Sequence, residues 1–144
     1  MQLSESSGNL LYHSNFLADT GPVTLSFDEA SLNNTWDNGC EGNFWSDYNG
    51  TDIGGDGIGD IAYVVDENNT DFYPLMNRYW NPADVNHDLK VDIIDAVLIC
   101  VAYSSTPSDD RWNCHCDIAD PYGIIDIYDV AVMCGSYGEE FANP

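Results

Sequence analysis

Apolar and polar residues change their rhythm along this chain near Trp80-Asn81-Pro82. Before that point, apolar residues fall in short alternating runs separated by Gly-, Asn- and Thr-rich turns, a pattern that predicts short strands. Asn9–Phe16 and Val23–Phe27 are two such runs, and neither buries its apolar face alone. After that point, two longer apolar runs have helical spacing: A-V-L-I-C-V-A-Y from Ala96 to Tyr103, and V-A-V-M-C-G-S-Y from Val130 to Tyr137. Both are too apolar to stand as exposed helices, so each is expected to pack on the other. The chain therefore divides at about residue 81, with residues 1–80 forming a strand-and-turn part and residues 81–144 a helical part.

The second part is an internal duplication. An offset of 34 residues pairs Asp92 with Asp126, Asp95 with Asp129, Cys100 with Cys134 and Tyr103 with Tyr137. Each repeat reads as a loop followed by a helix. The first loop, D84-V-N-H-D-L-K-V-D-I-I-D95, places Asp84, Asn86, Asp88, Asp92 and Asp95 at positions 1, 3, 5, 9 and 12 of a twelve-residue calcium loop, with the Lys90 carbonyl at position 7. Oxygen donors on alternate residues wrap a hard cation that takes six to eight of them. His87 falls where such loops face solvent. Leu89 stands where glycine is usual, and a left-handed backbone there costs on the order of 1 kcal/mol.

The second loop is irregular. A strict frame ending at Asp129 fits Asp120, Gly123, Asp126 and Asp129, and one inserted residue brings Asp117 to position 1. Pro121 stiffens this loop. A third calcium candidate lies in the first part, where Asp52, Asp56 and Asp60 stand within a glycine-rich run; a Gly-Asp turn cluster without an ion is the alternative.

Charge narrows the range of partners. The 144 residues carry a formal charge of −22, with Arg78, Lys90 and Arg111 the only Lys or Arg, which argues against nucleic acid and anionic membrane surfaces. Nineteen of the 25 acids are Asp, a residue of turns and metal sites rather than of helix faces. Bound divalent cations would relieve the self-repulsion. A hydrophobic content of 44% marks a folded chain rather than an acidic tail.

Cys40, Cys100, Cys114, Cys116 and Cys134 have no zinc-binding CxxC spacing, so disulfides in an extracellular setting are expected. Cys100 and Cys134 occupy equivalent places and could meet near a pseudo-twofold axis; the competing pairings use Cys114 or Cys116. Cys40 is a candidate to bridge to Cys114, to Cys116 or to another chain. Asn33, Asn49 and Asn68 begin N-x-T sequons, candidate glycosylation sites. The amino-terminal residues lack a basic n-region and a long apolar core, so the sequence reads as a mature or partial segment of a secreted protein. No run is long enough to insert in a membrane.

Residues 8–76 resemble the carboxy-terminal end of NosD-like right-handed parallel β-helix proteins common in archaeal secretomes. The resemblance rests on N34-T-W-D-N-G-C-E-G-N-F-W-S-D-Y48, on G54-G-D-G-I-G-D-I-A-Y-V-V-D66 and on D71-F-Y-P-L-M76, in that order. It implies a short solenoid of a few coils ending in a cap. Residues 81–141 resemble a dockerin-like module, a small calcium-dependent unit that binds cohesin domains. That resemblance implies one Ca²⁺ held by Asp84, Asn86, Asp88, Lys90, Asp92 and Asp95, and partner contacts at Ile93, Ile94, Ile127 and Tyr128, about half of which are expected to serve the core.

The expected protein is thus of mixed class, a β-helix terminal cap followed by a duplicated calcium loop-helix module at the cell surface. It would act in assembly, with copies of itself or a cohesin-type domain as partner and surface glycans as a further ligand class. No general base is evident among His13, His87 and His115, and no nucleophile elbow or phosphate cradle is present, so an enzyme is not expected. The alternative is a fragment of a secreted carbohydrate-active β-helix enzyme using paired carboxylates. Phe44, Trp45, Tyr48, Tyr63, Phe72 and Tyr73 are expected to fill a small core rather than form a sugar-stacking platform.

Overall fold

A computed structural model describes residues 2–3, 7–27 and 33–142. The chain forms two compact units, Met1–Tyr79 and Trp80–Pro144.

In the first unit the strands are shorter than their apolar runs. β1 (Gln2–Leu3) pairs in parallel with β3 (Ser26–Phe27), and β2 (Asn15–Phe16) with β4 (Phe44–Trp45). Further parallel bridges join Leu10 to Thr35 and Phe44 to Leu75. β5 (Tyr63–Asp66) and β6 (Asn69–Asp71) form an antiparallel hairpin. Trp36, Trp45, Ile58 and Leu75 are buried. Phe16, Trp45 and Tyr63 stack in a column with successive centroids 4.3 Å apart, which supplies the apolar area that two-residue strands lack. Phe72 and Tyr73 are exposed, contrary to their expected place in the core.

Side chains complete what the short ladders leave open. Asn9 donates its amide to Asn34 at 2.8 Å, and Asn43 donates to the carbonyls of Trp36 and Leu11. Asp71, fully buried, accepts from the Asn43 backbone and amide, the Trp45 indole and the Tyr73 backbone. Burial pushes its carboxyl above the usual range against the pull of these donors. Gly42 makes the approach possible, since a Cβ there would lie 1.9 Å from Asp71 Oδ1.

The second unit holds α1 (Ile93–Ala102) and α2 (Ile127–Ser136), packed together over Ala83, Val85, Val91, Ile99, Ala102, Cys116, Ile125 and Met133. Asp92 and Asp126 are the N-caps, each with a reciprocal capping box closed by Asp95 or Asp129. The duplication extends to the backbone. Val91 exchanges hydrogen bonds with Gly138 and Glu139, and Ile125, 34 residues later, does so with Ser104 and Ser105. Each loop is therefore pinned to the chain just beyond the other repeat's helix. The helices pack on each other as expected but bury only one face: Ile93, Ile94, Val97 and Val101 lie exposed on α1.

Candidate metal centre

The first loop folds around Asp84. Its Oδ1 accepts from the Asp88 backbone at 3.1 Å and its Oδ2 from the Leu89 backbone at 3.0 Å. This turn requires a left-handed backbone at His87 (φ 54°) and Leu89 (φ 72°), the second at the position where glycine is usual. Asp88 Oδ1 accepts from the Lys90 backbone, and Asn86 donates its amide to Asp88 Oδ2. Asp95 returns from the first turn of α1, its Oδ1 accepting from Val85 at 2.9 Å and its Oδ2 from Asp92 at 2.7 Å. Asp92 Oδ1 accepts from Ile94. The loop thus brings the ends of its twelve residues together on two carboxylates, Asp84 and Asp95, that are both buried.

That burial has an electrostatic consequence. Desolvation pushes Asp84 up to about 6, with the nearby Asp95 and Asp88 charges adding to it and His87 and the Leu89 N–H opposing it. Asp95 is raised as well, again chiefly by burial. Two crowded, desolvated carboxylates form a site that a divalent cation would relieve.

The second loop repeats this wiring with one extra residue. Asp117 Oδ2 accepts from Gly123 at 2.7 Å, six residues on, where Asp84 accepts from Leu89 five residues on. Asp129 Oδ1 accepts from Ile118 and Ala119, Asp129 Oδ2 from Asp126, and Asp126 Oδ1 from Tyr128. Asp117 therefore stands in the place of Asp84, as the one-residue insertion requires. Gly123 takes the left-handed turn at φ 97°. Asp117 Oδ1 is buried with no hydrogen-bond partner, and burial followed by the charges of Asp129 and Asp126 raises its carboxyl. An orphaned carboxylate oxygen among other acidic oxygens fits a hard cation. Asp120 is exposed.

Asp52, Asp56 and Asp60 share one loop. Asp52 accepts from Gly55, Asp56 and Gly57, and Asp56 Oδ1 accepts from Ile58 at 3.0 Å. Asp60 Oδ2 accepts from Ile53. Left-handed residues follow Asp52 at the third and fifth positions, Gly55 and Gly57, as His87 and Leu89 follow Asp84. The turn cluster and the start of the first loop of the second unit have the same local form.

Several expectations are corrected. His87 is buried, 6% exposed, with its ring set edge-on to His115 at 5.7 Å, so it does not face solvent. Ile93, Ile94, Ile127 and Tyr128 are all exposed, between 50% and 61%, so none of them serves the core. The cause lies in the caps. Asp92 and Asp126 fix the first turn of each helix so that the inward position belongs to Asp95 or Asp129; the apolar packing begins after it, at Ala96 and Val130, and the first buried apolar residues are Ile99 and Met133. Cys100 and Cys134 do not meet; both are exposed thiols. His13, which stands alone in sequence, is bonded to the buried Glu41 and stacked on Tyr79.

Comparison with family models, with curated proteins and with solved structures finds no significant match to this chain.

Proposed function

We propose that this chain is a calcium-stabilised extracellular assembly protein: a terminal piece of a right-handed β-helix followed by a dockerin-like double calcium loop, which self-associates or docks to a cohesin-type partner. The observation that carries the reading is the duplicated loop. In both copies an aspartate at the loop start, an aspartate N-cap and an aspartate in the first helical turn are held by the same backbone donors, and in the second copy one carboxylate oxygen is buried without a partner. In this reading Asp84, Asn86, Asp88, the Lys90 carbonyl, Asp92 and Asp95 hold one Ca²⁺, and Asp117, Asp120, Asp126 and Asp129 a second. The ion would neutralise charge at the loop and tie its two ends to the helix.

The β-helix part of the proposal is supported by parallel pairing of residues 24 to 31 positions apart, as stacked coils of that length require: Gln2 with Ser26, Leu10 with Thr35, Asn15 with Phe44 and Phe44 with Leu75. The docking part is supported by the four exposed apolar side chains at the helix starts, in a chain whose charged residues are nearly all acids. Light scattering over a hundredfold concentration range, in calcium, tests it with the wild type and with Ile94→Asp combined with Tyr128→Asp. The expected result is concentration-dependent association, or capture of a cohesin domain, that the double substitution abolishes. A wild-type chain that stays monomeric and captures no cohesin refutes the assembly function.

A further inference from the structure

Asparagine is a bracing residue in this protein. Asn9, Asn15, Asn34, Asn43, Asn69 and Asn81 each spend their side chains on hydrogen bonds, to one another, to backbone, to the Trp36 indole or to Ser136 and Glu139. Asn38, Asn86 and Asn113 do the same within their own turns. Three asparagines depart from this use. The side chains of Asn33, Asn49 and Asn68 are exposed and make no hydrogen bond among the described residues. These three are the ones that begin N-x-T tripeptides: Asn33-Asn34-Thr35, Asn49-Gly50-Thr51 and Asn68-Asn69-Thr70.

The coincidence is sharpest at Asn68 and Asn69. The two are neighbours at the end of the hairpin, Asn68 in the turn between β5 and β6 and Asn69 the first residue of β6. Asn69 is buried, accepting from Trp36 Nε1 and donating to Asp66, and it is not a sequon asparagine. Asn68 is exposed at the tip of the hairpin with its amide unengaged. The pair Asn33 and Asn34 divides in the same way: Asn34 is buried and bonded to Asn9, and Asn33 is exposed in a left-handed conformation that asparagine tolerates.

We propose that Asn33, Asn49 and Asn68 carry N-linked glycans. The co-substrate is a lipid-linked oligosaccharide used by an oligosaccharyltransferase. The Asn Nδ2 forms a bond to the anomeric carbon, the bond from that carbon to the carrier phosphate breaks, the carrier leaves as its phosphate, and the enzyme's base takes one amide proton. A bulky polar modification at each of these positions leaves the core and the bracing network untouched. All three lie in the first unit, which thereby becomes the glycan-bearing part of the molecule.

The inference rests on the extracellular placement proposed above, and one experiment separates the two. The full chain is recovered from the medium and surface fraction and from the interior of the cells that make it, and its sequon peptides are read by mass spectrometry. A glycan mass is expected on each of the three peptides, with Asn68→Gln and Thr70→Val each removing one glycan from the intact mass. A chain found outside the cell with a sequon peptide wholly unmodified overturns the proposal at that site and leaves the placement standing. Recovery only from the interior, unmodified, overturns both. Loss of the sugar in Thr70→Val but not in Asn68→Gln would place it on the threonine hydroxyl and overturn the N-linkage.

Discussion

If the proposed calcium site is real, Asp84 should give the loop a pH signature whose sign depends on calcium. Its carboxyl is raised by burial from 3.8 to about 6. A carboxyl whose folded value lies above its unfolded value binds its proton more tightly in the folded state. In chelator, the second unit is therefore most stable below the unfolded value, and it loses that stability as pH rises from about 4 to about 6. A pKa raised by about two, at about 1.36 kcal/mol for each tenfold change in proton affinity, corresponds to about 3 kcal/mol, and for a domain of this size that moves the melting temperature by about 12–24 °C. In saturating calcium the trend reverses, because the ligand carboxylates must be ionised, and melting temperature falls as pH drops below about 6. The assay is thermal melting of the second unit followed by near-ultraviolet circular dichroism of Trp80 and Trp112, from about pH 4 to 7.5, a range that brackets the titration. Asp84→Asn is the control, expected to flatten the slope in chelator by at least half, with Asp95 and Asp117 supplying the remainder. Equal slopes in the wild type and Asp84→Asn would refute the reasoning.

Gly42→Ala should destabilise the first unit by about 3–6 kcal/mol, because the added methyl displaces Asp71 from donors to a charged group worth about 1.5–3 kcal/mol each; a change below about 1 kcal/mol in chemical denaturation would contradict it. Asp71→Asn should be nearly as damaging, since every group aimed at that side chain is a donor and the amide offers one acceptor oxygen in place of two. Cys100 and Cys134 should react with maleimide in the folded, unreduced protein, and protection of either thiol would contradict their exposed placement.

The two helices and their duplication were legible because 34-residue self-similarity and a 3.6-residue apolar period are direct imprints of packed repeats. Leu89 shows how far such reading reaches: its loop position implied a left-handed backbone, and φ is 72°. The one-residue insertion at Asp117 was visible in the same way. What stayed hidden depends on three-dimensional neighbours. Nothing local marks His87 as buried against His115, or Asn43 and Asp71 as joined across 28 residues. That all four of Ile93, Ile94, Ile127 and Tyr128 face outward, where about half were expected in the core, was equally hidden, because hydrophobicity alone does not tell a core face from an outward one until the cap fixes the helix phase. In the first unit, two-residue strands leave little periodicity to read, and the asparagine and aromatic contacts that replace it are long-range.

Titration calorimetry of calcium into chelator-stripped full chain tests the central claim most directly. Saturable binding of at least one Ca²⁺ per chain is expected, lost when Asp84→Ala and Asp95→Ala are combined and retained in millimolar magnesium, since Mg²⁺ demands a tighter octahedral site (about 2.0–2.1 Å) than a flexible aspartate loop offers. A wild-type chain that is folded and takes up no calcium, or a double variant that binds as the wild type does, would contradict the account.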